Sequence, residues 1–290
     1  MKKVRFLFCR KFFSVPCIDT AAYRTGNRSI SFVNGDIRLI KLNTCTHTVP
    51  KKTDWNIGRI SNGDYADAFR LATAAIDKFG WYNRNCAINP YLVEGKKTCA
   101  MEIAEQLAWN VPDKVFISVG DGCCIGGLYK GFGDLMELGL TERMPRIFGV
   151  QAEGSKPIYE AFKAGAEKVT FTRAATLADS IAVGSPRNWA KALRAVRRTD
   201  GDMLTVTDEE ILSAIPELAR STGVFGEPAG ATAFAGFRKA AQSGALSSGD
   251  RVAVVVTGNG LKDIANAQKS VPPALSVAPD LAELESKLGL

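Results

Sequence analysis

No apolar run in this 290-residue chain approaches the roughly 20 residues a membrane helix needs, so a membrane partner is not expected. There is one histidine, His47, in a Thr-rich stretch without partners, which reads as structural or exposed rather than catalytic. The seven cysteines show no paired metal-ligand spacing and follow no secretory leader, and Cys123 and Cys124 are neighbours. Reduced thiols in a cytoplasmic compartment are the expectation, with no metal centre and no disulfide framework. Acid is also missing from the start of the chain, where none precedes Asp19.

That last absence divides the chain. Residues 1–62 hold 12 Lys/Arg and 3 Asp, a net of +9, while the other 228 hold 25 Lys/Arg and 27 Asp/Glu, a net of −2. A uniformly basic surface would point to nucleic acid, but here only the leader is basic, and no nucleic-acid partner is expected. The leader alternates basic and aromatic residues without a period and faintly resembles an organellar presequence. Within it, Ser29 to Val33 and Ile37 to Leu42 are β-compatible pieces around a hairpin turn at Asn34-Gly35. Val49 to Asn62 is polar and turn-rich.

What is present centres on Lys114-Val-Phe-Ile-Ser-Val-Gly-Asp-Gly-Cys-Cys-Ile-Gly-Gly127. Val115 to Val119 is a short β-branched run, the pattern of a buried strand. It breaks at Gly120-Asp121-Gly122, and Ile125 to Leu138 follows with Leu128, Phe132, Leu135 and Met136 at helical spacing. A strand, a glycine turn and a helix start in that order make an anion site, because exposed N–H groups and the positive helix end converge where glycines admit a phosphate. A dinucleotide fingerprint fails, since G-x-G-x-x-G needs a small residue where Ile125 stands. A tight turn that binds nothing is the plain alternative.

Before this stretch, Asp64 caps a predicted helix from Tyr65 to Phe79 that Gly80 ends. Trp81 to Ile88 is a short strand or loop, Asn89-Pro90 a turn, and Glu94 to Thr98 leads into a helix through Leu107. After it come a strand at Arg146–Gln151 and helices at Pro157–Ala164 and Ala190–Arg197. A strand at Met203–Val206 follows, with Thr207-Asp208-Glu209-Glu210 capping a helix to Ser221. Glu227 to Ala231 opens a small-residue helix to Ala241, and Arg251–Val256 is a buried strand ending in a second glycine turn, Thr257 to Asp263. Repeated strand–helix units predict an α/β fold with a mostly parallel sheet covered on both faces. Ligands in such sheets sit at the carboxyl ends of strands, so the two glycine turns could line one pocket.

Five stretches then become recognisable: Asn89-Pro90-Tyr91-Leu92-Val93-Glu94-Gly95-Lys96-Lys97-Thr98, Val119-Gly120-Asp121-Gly122-Cys123, Gly149 to Gly154, Glu227 to Ala231, and Thr257 to Asp263. In this order they resemble threonine synthase, a fold-type-II pyridoxal-phosphate enzyme of the tryptophan synthase β-like group, from about Gly63 to the C-terminus. The resemblance implies pyridoxal 5'-phosphate as cofactor, an amino-acid substrate and a possible homodimer. It assigns cofactor contacts to Gly120, Asp121, Gly122, Cys123 and Cys124, whose N–H groups would cradle the phosphate. Thr257 would place a neutral hydroxyl against the pyridine nitrogen, which suits replacement and elimination chemistry. It also implies residues 1–62 as an unmatched leader, 63–95 as a remnant of a small domain, and 96–290 as the large cofactor domain.

Two departures stand against full activity. The family's Schiff-base lysine lies in a Lys-Asp-Arg context that residues 1–62 do not contain. Thr25-Gly26-Asn27 only echoes the loop expected after it, with Lys2 and Lys3 at a tolerable distance, so the catalytic lysine is unassigned. Where many members place a serine and an arginine for the substrate phosphate, Ala87 and Leu92 stand here, with Arg84 as the one substitute nearby. The expected activity is therefore conversion of O-phosphohomoserine and water to threonine and phosphate, in threonine biosynthesis. A catalytically incomplete relative, a hydroxyamino-acid dehydratase and a nucleotide-binding α/β domain are the alternatives.

Overall fold

The computed structural model describes residues 65–80, 83 and 85–289, with the backbone alone at 29–33, 36–40 and 82. His47, Lys2, Lys3, Thr25-Gly26-Asn27, the turn-rich 49–62 segment, the Asp64 cap and Arg84 lie outside the described residues.

Strands β1 (Ser29–Val33) and β2 (Asp36–Ile40) pair antiparallel, with Val33 opposite Asp36, as the hairpin reading expects. Helix α1 (Tyr65–Phe79) follows, burying Ala68, Ala72 and Ile76. β3 is only Tyr82–Asn83 and runs parallel to β1, completing a three-stranded sheet in the order β2-β1-β3. Residues 85–88 turn because the asparagines of this segment bond its own backbone. Asn83 Oδ1 accepts from Asn85 N at 2.8 Å and Asn85 Oδ1 from Ala87 N at 2.8 Å. Asn89-Pro90 is not a turn, as expected from sequence, but a helix start. Asn89 Oδ1 accepts from Tyr91 N at 3.1 Å, and Pro90 is the first residue of α2 (Pro90–Glu94). Proline is tolerated there because that N–H has no intrahelical partner. One 3₁₀ turn at 95–97 then leads into α3 (Thr98–Gln106).

From β4 (Lys114–Ser118) onward the alternation runs as the sequence predicts. It passes through α4 (Cys123–Glu137), β5 (Arg146–Ala152), α5 (Pro157–Lys163) and α6 (Trp189–Arg198). It continues with β6 (Asp202–Val206), α7 (Asp208–Thr222), α8 (Pro228–Gln242) and β7 (Val252–Val255). Two short helices that periodicity does not reveal, α9 (Ile264–Lys269) and α10 (Leu281–Leu288), each start at an aspartate cap. The Thr207–Glu210 capping box is formed from both sides, with Glu210 N donating to Thr207 Oγ1 at 3.2 Å and Thr207 N to Glu210 Oε2 at 2.8 Å.

The other four strands form an all-parallel sheet in the order β6-β5-β4-β7. Side chains alternate across it. Val115, Ile117 and Val119 of the β4 segment join Ala253 and Val255 in a core with α3, α4 and α6. Phe116, Phe148, Val150, Val252 and Val254 point the other way, into a core with α7 and α8. There Phe116 stacks on Phe148 at 4.8 Å and meets the edge of Phe237 at 5.7 Å. Both faces are therefore dry, which explains strands that read as continuous apolar runs. No helix among the described residues is long and apolar enough to cross a membrane.

Candidate active site

β4 and β7 are neighbours, and Ile117 pairs with Val255. Two residues further on, Val119 and Thr257 leave the sheet side by side. Both glycine turns thus begin at one edge, the carboxyl end where parallel sheets place ligands.

The first turn has little freedom to be anything else. Gly122, the cap of α4, sits at φ +93°, a region that side chains rarely adopt, and an added Cβ would lie 2.7 Å from the Asn188 carbonyl oxygen. A Cβ on Gly120 would come within 2.9 Å of Ile181 Cα. Among the described residues no side chain caps α4, so its first backbone N–H groups are left for another acceptor. The start of α6 meets the same point. Asn188, its cap, is diverted from capping: its N donates to Asp121 O at 3.0 Å and its Nδ2 to Asp121 Oδ2 at 2.5 Å. Arg187 N donates to Asp121 Oδ1 at 2.6 Å. Asp121 therefore ties the turn to residues 187–188, and the positive ends of two helices converge on it. An uncapped helix start behind a glycine cradle fits a phosphate group.

Side chains around the turn add charge that the sequence does not reveal. Lys96 stands against α4, where its Cβ would meet a Cβ on Gly127 at 2.6 Å. Its ammonium is held far above the usual lysine range, chiefly by the Cys124 sulfur, which is itself anionic only at high pH, with burial opposing. The Cys123 thiol is pushed up to about 12: Cys124 pulls it down, but Cys86 and burial outweigh that. Cys124 is raised as well, by its hydrogen bond with Cys123 and by burial. Both are neutral thiols at pH 7. The Tyr65 phenol is also raised, by burial first and Asp121 second, and stays a neutral hydroxyl. The Arg187 guanidinium lies over the Phe69 ring at 4.7 Å, and its Nε is buried with no hydrogen-bond partner among the described residues.

The positions read from sequence for the substrate phosphate carry no such group. Ala87 is half-buried in the asparagine turn and Leu92 is half-buried on α2. The second turn is self-satisfied. Asn259 Oδ1 accepts from Leu261 N at 2.9 Å, and Gly260 N donates to Phe225 O at 3.0 Å. Glu227, 4% exposed, pairs with Lys262 at 2.9 Å. Its carboxyl is nonetheless raised, because burial outweighs the attraction of Lys262. Thr257 is half-buried at the exit of β7. Arg187, Asn188 and Cys86 reach the site only through the fold. One local signal existed, since an asparagine directly before the periodic run at Trp189 is a helix-start pattern.

Residues 40–258 match the family model described as pyridoxal-phosphate dependent enzyme. The chain is 42% identical over 202 residues to a threonine synthase of Methanosarcina acetivorans, covering 69% of this chain and 50% of that one. It is 34% identical over 255 residues to a threonine synthase of a Bacillus species, covering 82% and 68%. It thus spans about half the length of the first of these relatives. In fold it is similar to threonine deaminase isoform 2 from Solanum lycopersicum, with a TM-score of 0.59 at 22% identity, covering 72% of this chain and 57% of that one. The chain belongs to the pyridoxal-phosphate dependent enzyme family and, within it, to the threonine synthases.

Proposed function

We propose that the chain acts as a threonine synthase-type lyase, taking O-phosphohomoserine and water to threonine and phosphate. The observation that carries this reading is the uncapped start of α4 behind Gly120 and Gly122, in a chain of this family. The N–H groups of Gly120 to Cys124 hold the cofactor phosphate, with the Lys96 ammonium nearby to balance its charge. The Thr257 hydroxyl would serve the pyridine nitrogen as a neutral partner. Bound cofactor supplies the electron sink that substitution at the substrate's side chain requires. Arg187 provides the guanidinium for which Ala87 and Leu92 are no substitute. Its guanidinium, stacked on Phe69 and with Nε lacking a partner among the described residues, suits a planar two-point contact with a phosphate or carboxylate. A cytoplasmic, homodimeric enzyme is the accompanying expectation, as in the family, with residues 96–290 as the cofactor domain.

A second reading is favoured by one observation. The lysine motif of the family is missing from residues 1–62, so the chain could hold the cofactor without turning it over. Borohydride reduction of the cofactor-loaded chain and peptide mapping separates the two. Label on a single lysine, together with phosphate release from O-phosphohomoserine, supports the enzyme. Label scattered over surface lysines with no phosphate release leaves only the binding protein.

A further inference from the structure

The proposed cofactor site uses the backbone of the first turn. The side chains of the same turn make a second constellation that it does not use. Cys86 Sγ, a carboxylate oxygen of Asp121 and Cys123 Sγ all lie within 4.8 Å of one another. Cys86 Sγ stands 3.7 Å from Asp121 Oδ2. For a tetrahedral zinc ion with bonds of about 2.3 Å to sulfur and about 2.1 Å to oxygen, ligand atoms are spaced about 3.6–3.8 Å apart. One edge is therefore already at that spacing, and the others close with side-chain shifts of about 1 Å or less.

The surroundings hold these atoms in place. Asn188, 3% exposed, donates through Nδ2 to Asp121 Oδ2 at 2.5 Å and reaches Cys86 Sγ at 3.9 Å. Lys191 Nζ donates to Asn188 Oδ1 at 2.8 Å and so fixes which way that amide faces. Arg187 N anchors the other carboxylate oxygen. An amide that touches two ligand atoms and is itself oriented by a third residue is the kind of outer support metal ligands have. Cys86 is delivered by the asparagine turn of residues 85–89, Asp121 and Cys123 by the turn after β4.

We propose that Cys86, Asp121 and Cys123 bind one divalent cation of the zinc class, with water in the fourth position. Two thiolates and a carboxylate select such a cation over magnesium or calcium, which take oxygen ligands. On binding, each thiol releases its proton to solvent, two metal–sulfur bonds and one metal–oxygen bond form, and no electrons are exchanged. Two protons leave as a doubly charged ion arrives, so the net charge of the cluster is unchanged. The nearby Lys96 and Arg187 therefore do not oppose the exchange as they would oppose an added charge. This site rests on side chains and is independent of whether the backbone of the turn holds a cofactor.

Cadmium is the probe, because its bonds to thiolate give an ultraviolet charge-transfer band. The purified full chain, kept reduced without added thiols, should develop that band with one equivalent of cadmium, and zinc should displace it. Cys86→Ser and Cys123→Ser should each weaken binding by roughly a hundredfold or more, and Asn188→Ala by roughly tenfold. No band at one equivalent, or wild-type affinity in both cysteine variants, overturns the proposal, since the metal would then be absent or on other cysteines. Where a variant fails to fold, alkylation of the unaltered chain decides. Stoichiometric zinc should protect Cys86 and Cys123 together in peptide mass spectra, and equal labelling with and without zinc overturns the site.

Discussion

The two glycine turns leave adjacent strands of one sheet, yet they end differently. The turn after β7 satisfies itself: Asn259 and Asp263 accept from the N–H groups ahead of them, Glu227 N donates to Gly258 O at 2.9 Å, and the Glu227 carboxylate is paired with Lys262. The turn after β4 ends in a helix that no side chain among the described residues caps, flanked by the Lys96 side chain, a stacked guanidinium and three thiols. Glycine makes both turns possible, but only open donors make a turn an anion site. Sequence alone weights the two alike, because glycine content is visible there and satisfaction of donors is not.

One methyl group added to each turn should separate the two most strongly. In Gly258→Ala the new Cβ would overlap the Glu227 carboxylate, whose Oε1 lies 1.7 Å from that position. Displacing a buried acid from its partner should cost about 3 kcal/mol or more of unfolding free energy. In Gly122→Ala the left-handed backbone costs about 1–2 kcal/mol, and the Asn188 carbonyl must move away. There the loss should fall mainly on cofactor affinity, by tenfold or more in a pyridoxal-phosphate titration, where a factor of ten is about 1.4 kcal/mol. Equal losses of stability and affinity in both variants would erase the distinction.

A smaller effect sharpens the role of the first turn. Arg187→Lys keeps the charge but gives up the planar fork, so the KM for O-phosphohomoserine should rise about tenfold while cofactor affinity stays unchanged. Leu92→Arg, by contrast, should leave the KM within about twofold if Arg187 already meets the phosphate. A larger gain from Leu92→Arg would move the substrate phosphate to α2.

The parallel sheet was readable because its strands are buried on both faces and its helices carry strong start signals, as at Thr207–Glu210 and Glu227-Pro228. The glycine turn was readable because φ +93° at Gly122 leaves a mark in composition. α2 was misread because Asn-Pro signals both a turn and a helix start, and only the Asn89 hydrogen bond to Tyr91 decides. α9 and α10 are too short for a periodic stripe, and α10 buries no residue against the body. The side chains that dress the turn come from positions 86, 96, 187 and 188, as far as 102 residues apart in one hydrogen bond. No spacing rule finds Cys86 beside Cys123, because ordinary metal motifs put both ligands on one local element.

The smallest expected effect tests the satisfied turn. Glu227 is buried and its carboxyl is raised, with burial the larger influence and Lys262 pulling the other way. A group whose folded-state value lies above its unfolded one favours folding when protonated. Its contribution is full below the unfolded range, about 4.3 for glutamate, and is lost as pH rises through the higher folded value. Unfolding free energy of the natural chain, compared with Glu227→Gln, should therefore fall as pH rises from about 4 through the weakly acidic range and then level off. Denaturant melts at a series of pH values measure that difference. The opposite slope would mean that the ion pair with Lys262 outweighs the cost of burying the charge. The turn after β7 would then be held by attraction, where we attribute its order to backbone and cap hydrogen bonds that persist when Glu227 is neutral.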